Sequence, residues 1–340
     1  MKSVYNFTIS DFEEYFLGIG ETKYRAKQMF NAIYKNNIHT ISEITTIKKD
    51  LREKMKNNLI FDSLELVEVV ESNETVKFLF KLYDGNLIET VLMKQVYGNS
   101  ICVTTQVGCN IGCSFCASGE LSKLRDLNIH EIVLQVIEVQ KWLNDRISHV
   151  VIMGIGEPFD NFTNVMKFIE IINSDLGLGI GSRHITISTS GIVPKIIEFA
   201  DINKQVNLAI SLHATNDEVR NELMPINKKY NLEALKKALF YYCDNTSRRL
   251  TIEYILIDGV NDSIEDARNL VKYLRGLHYY INLIPLNSVN DKYKRSTDEN
   301  IKNFYDYIAK GGINVRLRQE FGENIDAACG QLRSIRGGNN

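Results

Sequence analysis

The sequence predicts an α/β fold, in which a partial (β/α)6 barrel follows an N-terminal helical accessory domain and precedes a short C-terminal extension. From about residue 100, apolar strand-like runs alternate with amphipathic helical stretches, a pattern typical of parallel strands joined by crossover helices. The 340 residues, 44% hydrophobic and 24% charged, fit one barrel-sized domain with a smaller appendage. We therefore expect domains at residues 1–95 and 96–332 and a polar tail at residues 333–340.

The N-terminal part is predicted to form two helices followed by three strands. Apolar residues recur at three- and four-residue spacing through residues 23–34, which indicates an amphipathic helix. Thr46 is expected to cap a second helix, with its apolar side chains on one stripe. The basic face of that helix is a candidate for contact with RNA phosphates, although such a face is more often only solvated. Its residues are Lys48, Lys49, Arg52 and Lys56. The strands are predicted at 64–70, 76–82 and 87–93.

The barrel is predicted from six strand-like runs and the helical stretches between them. Strands are expected at residues 101–107, 149–153, 184–188, 206–212, 250–256 and 281–286, with a further short one at 315–318. Helices are expected at 129–143, 232–243, 264–274 and 298–309. In a barrel of this kind the functional groups lie on the loops that follow the C-terminal ends of the strands.

Composition excludes several classes of protein. The net charge is −2 and the pI is near 6.3, so nothing global demands a nucleic-acid partner. No apolar run approaches the ~18 residues of a membrane span, and the N-terminus is acidic and amphipathic, so we expect a cytoplasmic protein without a membrane partner. Six cysteines, four of them between Cys102 and Cys116, indicate metal or redox chemistry rather than a disulfide scaffold.

Three of these cysteines form the most informative motif of the chain. Cys109, Cys113 and Cys116 are spaced by four and three residues, and three thiolates leave one position of a four-iron cluster open to a ligand. This spacing, with an aromatic residue before the last cysteine, resembles that of the radical S-adenosylmethionine (SAM) enzymes. The alternative is a zinc loop, which would need a fourth ligand nearby. The nearest downstream histidine, His130, lies within a predicted helix.

Polar and glycine-rich sequences follow several predicted strands and indicate a pocket for SAM. After the second strand, Gly156 lets the backbone approach a ligand, and Glu157 can accept hydrogen bonds from a ligand ammonium group. Each of these sequences alone is weak, because a glycine-rich turn is usually only a turn, and the inference depends on their common position beside the cysteine loop. The others contain Ser188, Ser211, Leu212, His213 and Asn287.

Three further residues are candidates for catalysis. Cys329 follows the last short strand among small residues, and Cys102 lies in the first barrel strand, although a lone cysteine is more often a buried hydrophobe. Cys243 is interpreted simply as core. Glu89 shares one strand face with apolar residues, where burial would favour its protonated form and suit it to proton transfer. Inward charges also occur on edge strands without a catalytic purpose.

Taken together, the motifs resemble the RlmN family of radical SAM adenine methyltransferases of ribosomal RNA, over about residues 23–332. The motifs are CVTTQVGCNIGCSFC from Cys102, MGIGEP from Met153, STSG from Ser188, SLH from Ser211, MPINKKY from Met224 and DAACGQL from Asp326. Family members methylate carbon 2 of one adenine in 23S ribosomal RNA, and some also methylate an adenine beside a transfer RNA anticodon.

The resemblance implies a mechanism and a role for each candidate. One SAM methylates Cys329, and a [4Fe-4S] cluster on Cys109, Cys113 and Cys116 cleaves a second SAM, whose radical takes hydrogen from that methyl group. The methylene radical then adds to the adenine. Glu89 matches the base and Cys102 the resolving thiol, which leaves a transient Cys102–Cys329 disulfide. SAM would be held by Gly156, Glu157, Ser188, Ser211, Leu212, His213 and Asn287.

The resemblance also implies partners, and it leaves alternatives open. The N-terminal helices match an RNA-binding module, a flavodoxin or ferredoxin would supply electrons, and a monomer is the expected state. Ser288 stands where members commonly have proline, which weakens the match at Asn287. One alternative is the Cfr branch, which methylates carbon 8 and confers antibiotic resistance; Pro158 and Pro285 favour the carbon-2 branch. The others are a radical SAM enzyme with a protein or small-molecule substrate, and a non-catalytic RNA-binding protein that carries a metal cluster.

Overall fold

The computed structural model describes residues 1–202, 205–287, 291–318 and 325–333. Ser288 and residues 334–340 of the predicted tail lie outside them. The described residues form these α-helices: α1 Ile9–Gly18, α2 Tyr24–Phe30, α3 Lys49–Lys56, α4 Ile129–Leu143, α5 Phe162–Asn173, α6 Val193–Ile202, α7 Asp217–Leu223, α8 Leu232–Thr246, α9 Ile264–Leu274 and α10 Asp298–Lys310. None of these helices is long and apolar enough to cross a membrane.

The strands of the described residues fall into one large sheet and two small ones. The small sheets pair β1 Lys2–Ser3 with β2 Leu59–Ile60, and β7 Gln106–Val107 with β8 Arg125–Asp126. The strands of the large sheet are β3 Glu65–Ser72, β4 Thr75–Lys81, β5 Leu87–Gln95, β6 Gly98–Cys102, β9 Ile147–Ile152, β10 Ile185–Thr189, β11 Asn207–Ser211, β12 Leu250–Leu256, β13 Tyr279–Pro285 and β14 Val315–Leu317.

The large sheet confirms the predicted α/β class. Its order among the described residues is β14-β13-β12-β11-β10-β9-β6-β5-β4-β3. All pairs from β6 to β14 are parallel, with helices in the connections, whereas β3 to β6 are antiparallel. The antiparallel strands thus continue the barrel sheet, and the boundary that the sequence predicts near residue 95 falls in the hairpin between β5 and β6, where Gln95 pairs with Gly98. That boundary stays a prediction.

The first barrel strand is shorter than predicted. It ends at Cys102, and the predicted continuation to residue 107 is wrong because the chain turns around Gly154 of the next loop. The Gly154 N–H donates to the Val103 carbonyl at 3.1 Å, and a Cβ on Gly154 would lie only 2.7 Å from that oxygen. Residues Gln106–Val107 therefore pair in a separate small sheet.

Local capping explains where several helices begin. A capping box of Thr8 and Asp11 starts α1, a helix that the sequence interpretation missed, and a box of Asn128 and Glu131 starts α4. The cap predicted at Thr46 is wrong, since α3 begins at Lys49 without a side-chain cap. The reason is that Ile47 is fully packed in the preceding turn, where its N–H donates to the carbonyl of Ile44 at 3.0 Å.

One apolar core runs through both parts of the molecule. Phe12, Phe16 and Phe30 of the N-terminal helices belong to the same buried cluster as Ile132 and Val136 of α4. Burial of aromatic side chains on this scale contributes strongly to stability, at roughly 25 cal/mol per Å² of apolar surface. The N-terminal helices are therefore fixed against the barrel.

Candidate active site

The cysteine loop lies between β7 and β8, at the C-terminal end of the barrel. The Cys109 N–H donates to the Leu121 carbonyl at 3.0 Å, and the Cys116 N–H donates to the Cys113 carbonyl at 3.2 Å. Gly108 precedes the loop at φ +74°, and a Cβ there would lie 2.5 Å from the carbonyl oxygen of Ser122. These contacts hold the three thiols on one side of a cavity.

The chemistry of these thiols fits a cluster better than a single metal ion. Burial raises the pKa of the Cys109 thiol to about 12, so a positively charged metal group is needed to keep the sulfurs ionised. No three histidine, cysteine or acidic side chains among the described residues converge on one ion, whereas the thiolates of a cluster each bind a different iron. His130 is engaged elsewhere: its Nδ1 lies 3.0 Å from the Asn6 side-chain oxygen.

A cavity of about 170 Å³ lies between the cysteine loop and the ends of the parallel strands. We call it the strand-end cavity. It brings together residues that are widely separated in the sequence and includes most of the predicted SAM contacts. Its polar, glycine and sulfur-bearing lining includes Cys109, Cys113, Cys116, Gly156, Glu157, Ser188, Ser211, His213, Glu253, Arg318 and Cys329.

Glu157 presents a buried carboxylate to this cavity. Its oxygens accept the backbone N–H groups of Phe159 at 3.0 Å and Ser190 at 2.7 Å. Burial raises the pKa of this carboxyl, while the hydrogen bonds act in the opposite direction. The preceding Gly156 has φ +106°, and a Cβ there would lie 2.6 Å from the Gln106 side chain. Glu157 is thus fixed as an acceptor for a cationic ligand group.

His213 enters the cavity as a neutral ring. Its Nδ1 accepts the Ile255 N–H at 3.1 Å, so the proton of the neutral imidazole is on Nε2. Burial, and then the neighbouring Arg220, lowers the pKa of His213 to about 3. The residue has φ +60°, and Phe115 of the cysteine loop contacts its ring edge-on at 5.0 Å. His213 therefore offers a hydrogen-bond donor without a charge.

The pKa of His213 makes stability depend on pH. In the unfolded chain His213 takes up a proton below about pH 6.5, whereas in the folded protein it stays neutral down to about pH 3. The free energy of unfolding should therefore fall as the pH drops through this range. From pH 7 to pH 5 the expected loss is about 2 kcal/mol. Urea unfolding of the SAM-free protein at both pH values measures it. The control is His213→Asn, because asparagine tolerates a positive φ and keeps a hydrogen-bond acceptor. This variant should lose the part of the pH dependence that comes from His213, and an unchanged pH dependence would contradict the lowered pKa of that residue.

Arg220 is a buried residue that the sequence interpretation missed. Its guanidinium donates to the carbonyls of Leu212 at 3.0 Å, Ser190 at 2.8 Å and Ser211 at 3.2 Å, and to the Asn227 side-chain oxygen at 2.8 Å. Burial lowers its pKa to about 10, so it stays charged at neutral pH. Arg220 thereby joins the ends of β10 and β11. Nothing in the local sequence distinguishes it from an ordinary surface arginine of a short helix.

We expect Arg220→Met to destabilise the fold by about 3–5 kcal/mol, because it leaves several buried carbonyls without a donor. Urea unfolding of the two proteins measures the difference. The exposed Arg268 is the matched control: Arg268→Met should change stability by less than about 0.5 kcal/mol. Equal effects of the two substitutions would contradict the structural role of Arg220.

Leu212 and Asn287 occupy different positions from the other predicted SAM contacts. The Leu212 side chain is fully buried in the core, and the residue lines neither the strand-end cavity nor a second cavity described below. Asn287 lines a second, smaller cavity, where its Nδ2 donates to the Cys329 carbonyl at 3.4 Å. The Asn287 side-chain oxygen is buried without a hydrogen-bond partner among the described residues, so it is an acceptor prepared for a ligand.

The second cavity, of about 40 Å³, joins the two predicted catalytic cysteines. We call it the rear cavity. Cys102 is buried in its wall beside Val91, and burial, followed by the neighbouring Cys329, raises the pKa of Cys102 to about 12. All six cysteines are free thiols in this structure. Cys329 lines both cavities, so it lies between the cysteine loop on one side and Cys102 on the other.

Glu89 lines neither cavity but holds the segment that carries Cys329. Its carboxylate forms an ion pair with Lys77 Nζ at 3.0 Å and accepts a hydrogen bond from the Arg333 N–H at 2.7 Å. Lys77 also donates to the Asp326 carbonyl at 3.4 Å. The sequence interpretation missed Lys77, although the predicted hairpin would have placed it diagonally across from Glu89.

Glu253 and Arg318 are two charged residues of the strand-end cavity that the sequence interpretation also missed. Glu253 accepts Asn282 Nδ2 at 2.8 Å, and burial raises the pKa of its carboxyl. Arg318 lines both cavities together with Cys329; Cys329, and then Glu253, raises the pKa of Arg318. A charged residue inside the continuous apolar strand β12 was the available signal for Glu253.

Comparisons with known proteins agree with this fold and site. The radical SAM superfamily model matches residues 103–271, and the model of the ribosomal RNA large subunit methyltransferase N-terminal domain matches residues 3–60. The crystal structure of a radical SAM methyltransferase from Sphaerobacter thermophilus superposes with a TM-score of 0.91 at 40% identity, and covers 98% of this chain and 99% of that one. The fold and the site therefore define a radical SAM methyltransferase, which uses SAM and a [4Fe-4S] cluster.

Two curated relatives narrow the assignment. Both carry the name probable dual-specificity RNA methyltransferase RlmN. The one from Listeria monocytogenes is 52% identical over 98% of this chain and 94% of its own length, and the one from Spiroplasma citri is 52% identical over 98% of each. The chain belongs to the RlmN family. This confirms the resemblance inferred from the motifs, and the non-catalytic alternative is wrong.

Proposed function

We propose that this protein methylates carbon 2 of a specific adenine in 23S ribosomal RNA, and an adenine next to the anticodon of transfer RNA. The observation that carries the proposal is the position of Cys329 on the wall shared by the strand-end and rear cavities. A sulfur in this place can receive a methyl group on one side and be attacked by Cys102 on the other. The dual-specificity name of the relatives supports both RNA substrates.

We assign the [4Fe-4S] cluster to the three loop cysteines and SAM to the strand-end cavity. When bound, the cluster and SAM supply one-electron chemistry that activates an unreactive C–H bond. Glu157 and the Nε2–H of His213 would orient polar groups of SAM, and Asn287 would accept a hydrogen bond. The full assigned sets are Cys109, Cys113 and Cys116 for the cluster, and Gly156, Glu157, Ser188, Ser211, Leu212, His213 and Asn287 for SAM.

The remaining steps belong to side chains of the protein. The Cys329 thiol would lose its proton and take a methyl group from a first SAM, which leaves as S-adenosylhomocysteine. One C–H bond of this methyl group would be broken by the radical chemistry that the cluster and a second SAM supply, and the carbon would then bond to adenine. Glu89 then removes a proton from the adduct. For this step the substrate displaces either Lys77 or the Arg333 N–H from the Glu89 carboxylate. The Cys102 thiol then attacks the Cys329 sulfur, which releases the methylated RNA and leaves a Cys102–Cys329 disulfide for reduction.

The N-terminal helices are proposed to contact the RNA. Lys48, Lys49 and Lys56 are exposed, whereas Arg52 is half-buried and donates to the Ser42 carbonyl. Three solvated lysines suit phosphate contacts. We further propose that the enzyme acts in the cytoplasm as a monomer, with a flavodoxin or ferredoxin as electron donor.

Mass spectrometry of nucleosides from ribosomal and transfer RNA, in cells with and without this gene, tests the proposal. Loss of 2-methyladenosine from both RNA fractions is the expected result. Loss from ribosomal RNA alone would remove transfer RNA from the proposal. Loss of 8-methyladenosine instead would overturn the carbon-2 assignment in favour of the Cfr branch.

Arg318→Gln is expected to reduce RNA methylation about 100-fold, because the guanidinium that orients the Cys329 sulfur is lost. The measurement is methyl transfer to a ribosomal RNA transcript by the reconstituted enzyme, together with its iron content. Arg316→Gln is the matched control, since Arg316 is exposed on β14, two residues before Arg318. Full activity of Arg318→Gln would show that this contact does not contribute.

A further inference from the structure

Four arginines without acidic partners lie at the end of the barrel opposite to the active site. Arg146 directly precedes β9, Arg183 lies just before β10, and Arg248 and Arg249 directly precede β12. Because these strands are parallel, their first residues lie along the same edge of the sheet. We call this edge, with these arginines and the aromatic rings beside them, the basal edge. None of the four forms an ion pair within the part of the chain that the structure describes.

Backbone and amide contacts hold the arginines close to each other. The side chain of Asn207 links two of them: its Nδ2 donates to the Arg183 carbonyl at 2.7 Å, and its oxygen accepts Arg248 at 2.6 Å. Arg146 donates to the Gly179 carbonyl at 2.7 Å. Asp145 is the acid next to this arginine, and it accepts the Asn99 amide at 2.9 Å and the Arg146 backbone N–H at 2.7 Å. No acidic side chain among the described residues therefore lies within ion-pair distance of these four guanidinium groups.

Aromatic rings accompany these charges. His149 and His184 stack with centroids 4.3 Å apart and planes 19° apart, and Tyr97 contacts His149 edge-on at 5.0 Å. Tyr97 is 68% exposed. Arg249 lies 4.5 Å above the ring of Tyr280. His184 is also exposed, whereas His149 and Tyr280 are half-buried. The exposed rings of Tyr97 and His184 offer flat faces for stacking.

Unpaired arginines beside exposed rings match the chemistry of single-stranded or looped RNA. Guanidinium groups bind phosphates through paired N–H donors, and aromatic faces stack on unpaired bases. An acidic protein would use the arginines but not the row of rings. The five residues of β10 put the basal edge about 17 Å from the strand-end cavity, at about 3.3 Å per residue. An RNA that reaches both sites must extend well beyond its target nucleotide.

We propose that the basal edge is a second RNA-binding surface, which contacts phosphates and unpaired bases of the substrate away from the target adenine. The proposal rests on the proposed function, because it assumes an RNA substrate. It predicts that the protein binds a large folded RNA more tightly than a short stem–loop containing the same adenine.

Binding of two RNAs by the reconstituted full-length enzyme tests this surface. The probes are a transcript of the large-subunit ribosomal RNA domain that contains the target adenine, and a short stem–loop around that adenine. Fluorescence anisotropy at several salt concentrations gives the affinity and its salt dependence. For the double variant R183Q/R249Q, we expect affinity for the long RNA to fall at least about tenfold, and the slope against log salt to shrink by about 2.

Other variants separate charge, stacking and folding. R183K/R249K should keep the slope, and Tyr97→Ala should weaken long-RNA binding about fivefold or more. R268Q/K302Q, which removes exposed cations from α9 and α10, should bind both RNAs normally. Stem–loop binding should be unchanged in all variants, which also shows that they fold.

Unchanged affinity and slope of R183Q/R249Q for the long RNA would overturn the proposal, as would an equal loss for both RNAs. Polyglutamate serves as a further probe: loss of its binding with unchanged RNA binding would overturn the proposal and assign the basal edge to an acidic protein. Methylation of the stem–loop by the wild-type enzyme is scored separately. If the wild type binds both RNAs but methylates neither, the proposed function fails, while the affinities still decide the basal edge.

Discussion

Cys329→Ala is expected to abolish RNA methylation entirely, because no other thiol lines both the strand-end and rear cavities among the described residues. Iron content should be retained, since Cys329 is not one of the three loop cysteines. The measurement is methyl transfer from labelled SAM to a ribosomal RNA transcript, with iron determined on the same samples.

Cys243→Ala is the matched control for this loss. Cys243 is half-buried on α8, where its sulfur contacts the His278 carbonyl at 3.9 Å, and it lines neither cavity. The control should therefore keep full activity. A fully active Cys329→Ala enzyme would contradict the methyl-cysteine mechanism, whatever the control shows.

Cys102→Ala is expected to trap the enzyme in covalent attachment to RNA. The adduct can form because Cys329 is intact, but the thiol that would release it from the other side of the rear cavity is absent. Denaturing gel electrophoresis with labelled RNA should show a protein–RNA band for this variant. The double variant C102A/C329A should show none, because the attachment is through Cys329. Normal product release by Cys102→Ala would exclude Cys102 as the resolving thiol.

The sequence was most informative where function depends on local spacing. The three loop cysteines, and the polar residues that follow successive strands, could be placed at one end of a barrel because parallel strands end on the same side. Glu157, Ser188, Ser211 and His213 indeed line one cavity with the cysteines. Cys102, Glu89 and Cys329 were already candidates from their sequence positions, but only the resemblance to a family joined them and gave each a role.

The residues that were missed act through contacts distant in the sequence. Arg220 binds carbonyls of two preceding strands, and Arg318 reaches Cys329 and Glu253 from the last strand. Such partners follow from side-chain packing, which periodicity does not encode. The first barrel strand was predicted too long for a similar reason, because the close approach of Gly154 to Val103 ends the observed strand. By contrast, α1 had a readable signal in its Thr8–Asp11 capping box.

The continuous large sheet makes the accessory module and the barrel mechanically one body. Val91 of β5 pairs directly with Cys102 of β6, two residues along the strand from Glu89. The proposed base, Glu89, and the proposed resolving thiol, Cys102, are thus carried by adjacent hydrogen-bonded strands, and this pairing fixes their separation. Cutting the gene near residue 95 to express two domains would leave the barrel with an open sheet edge at β6 and without Glu89. Stable fragments of this enzyme would therefore require the chain to be divided at another position.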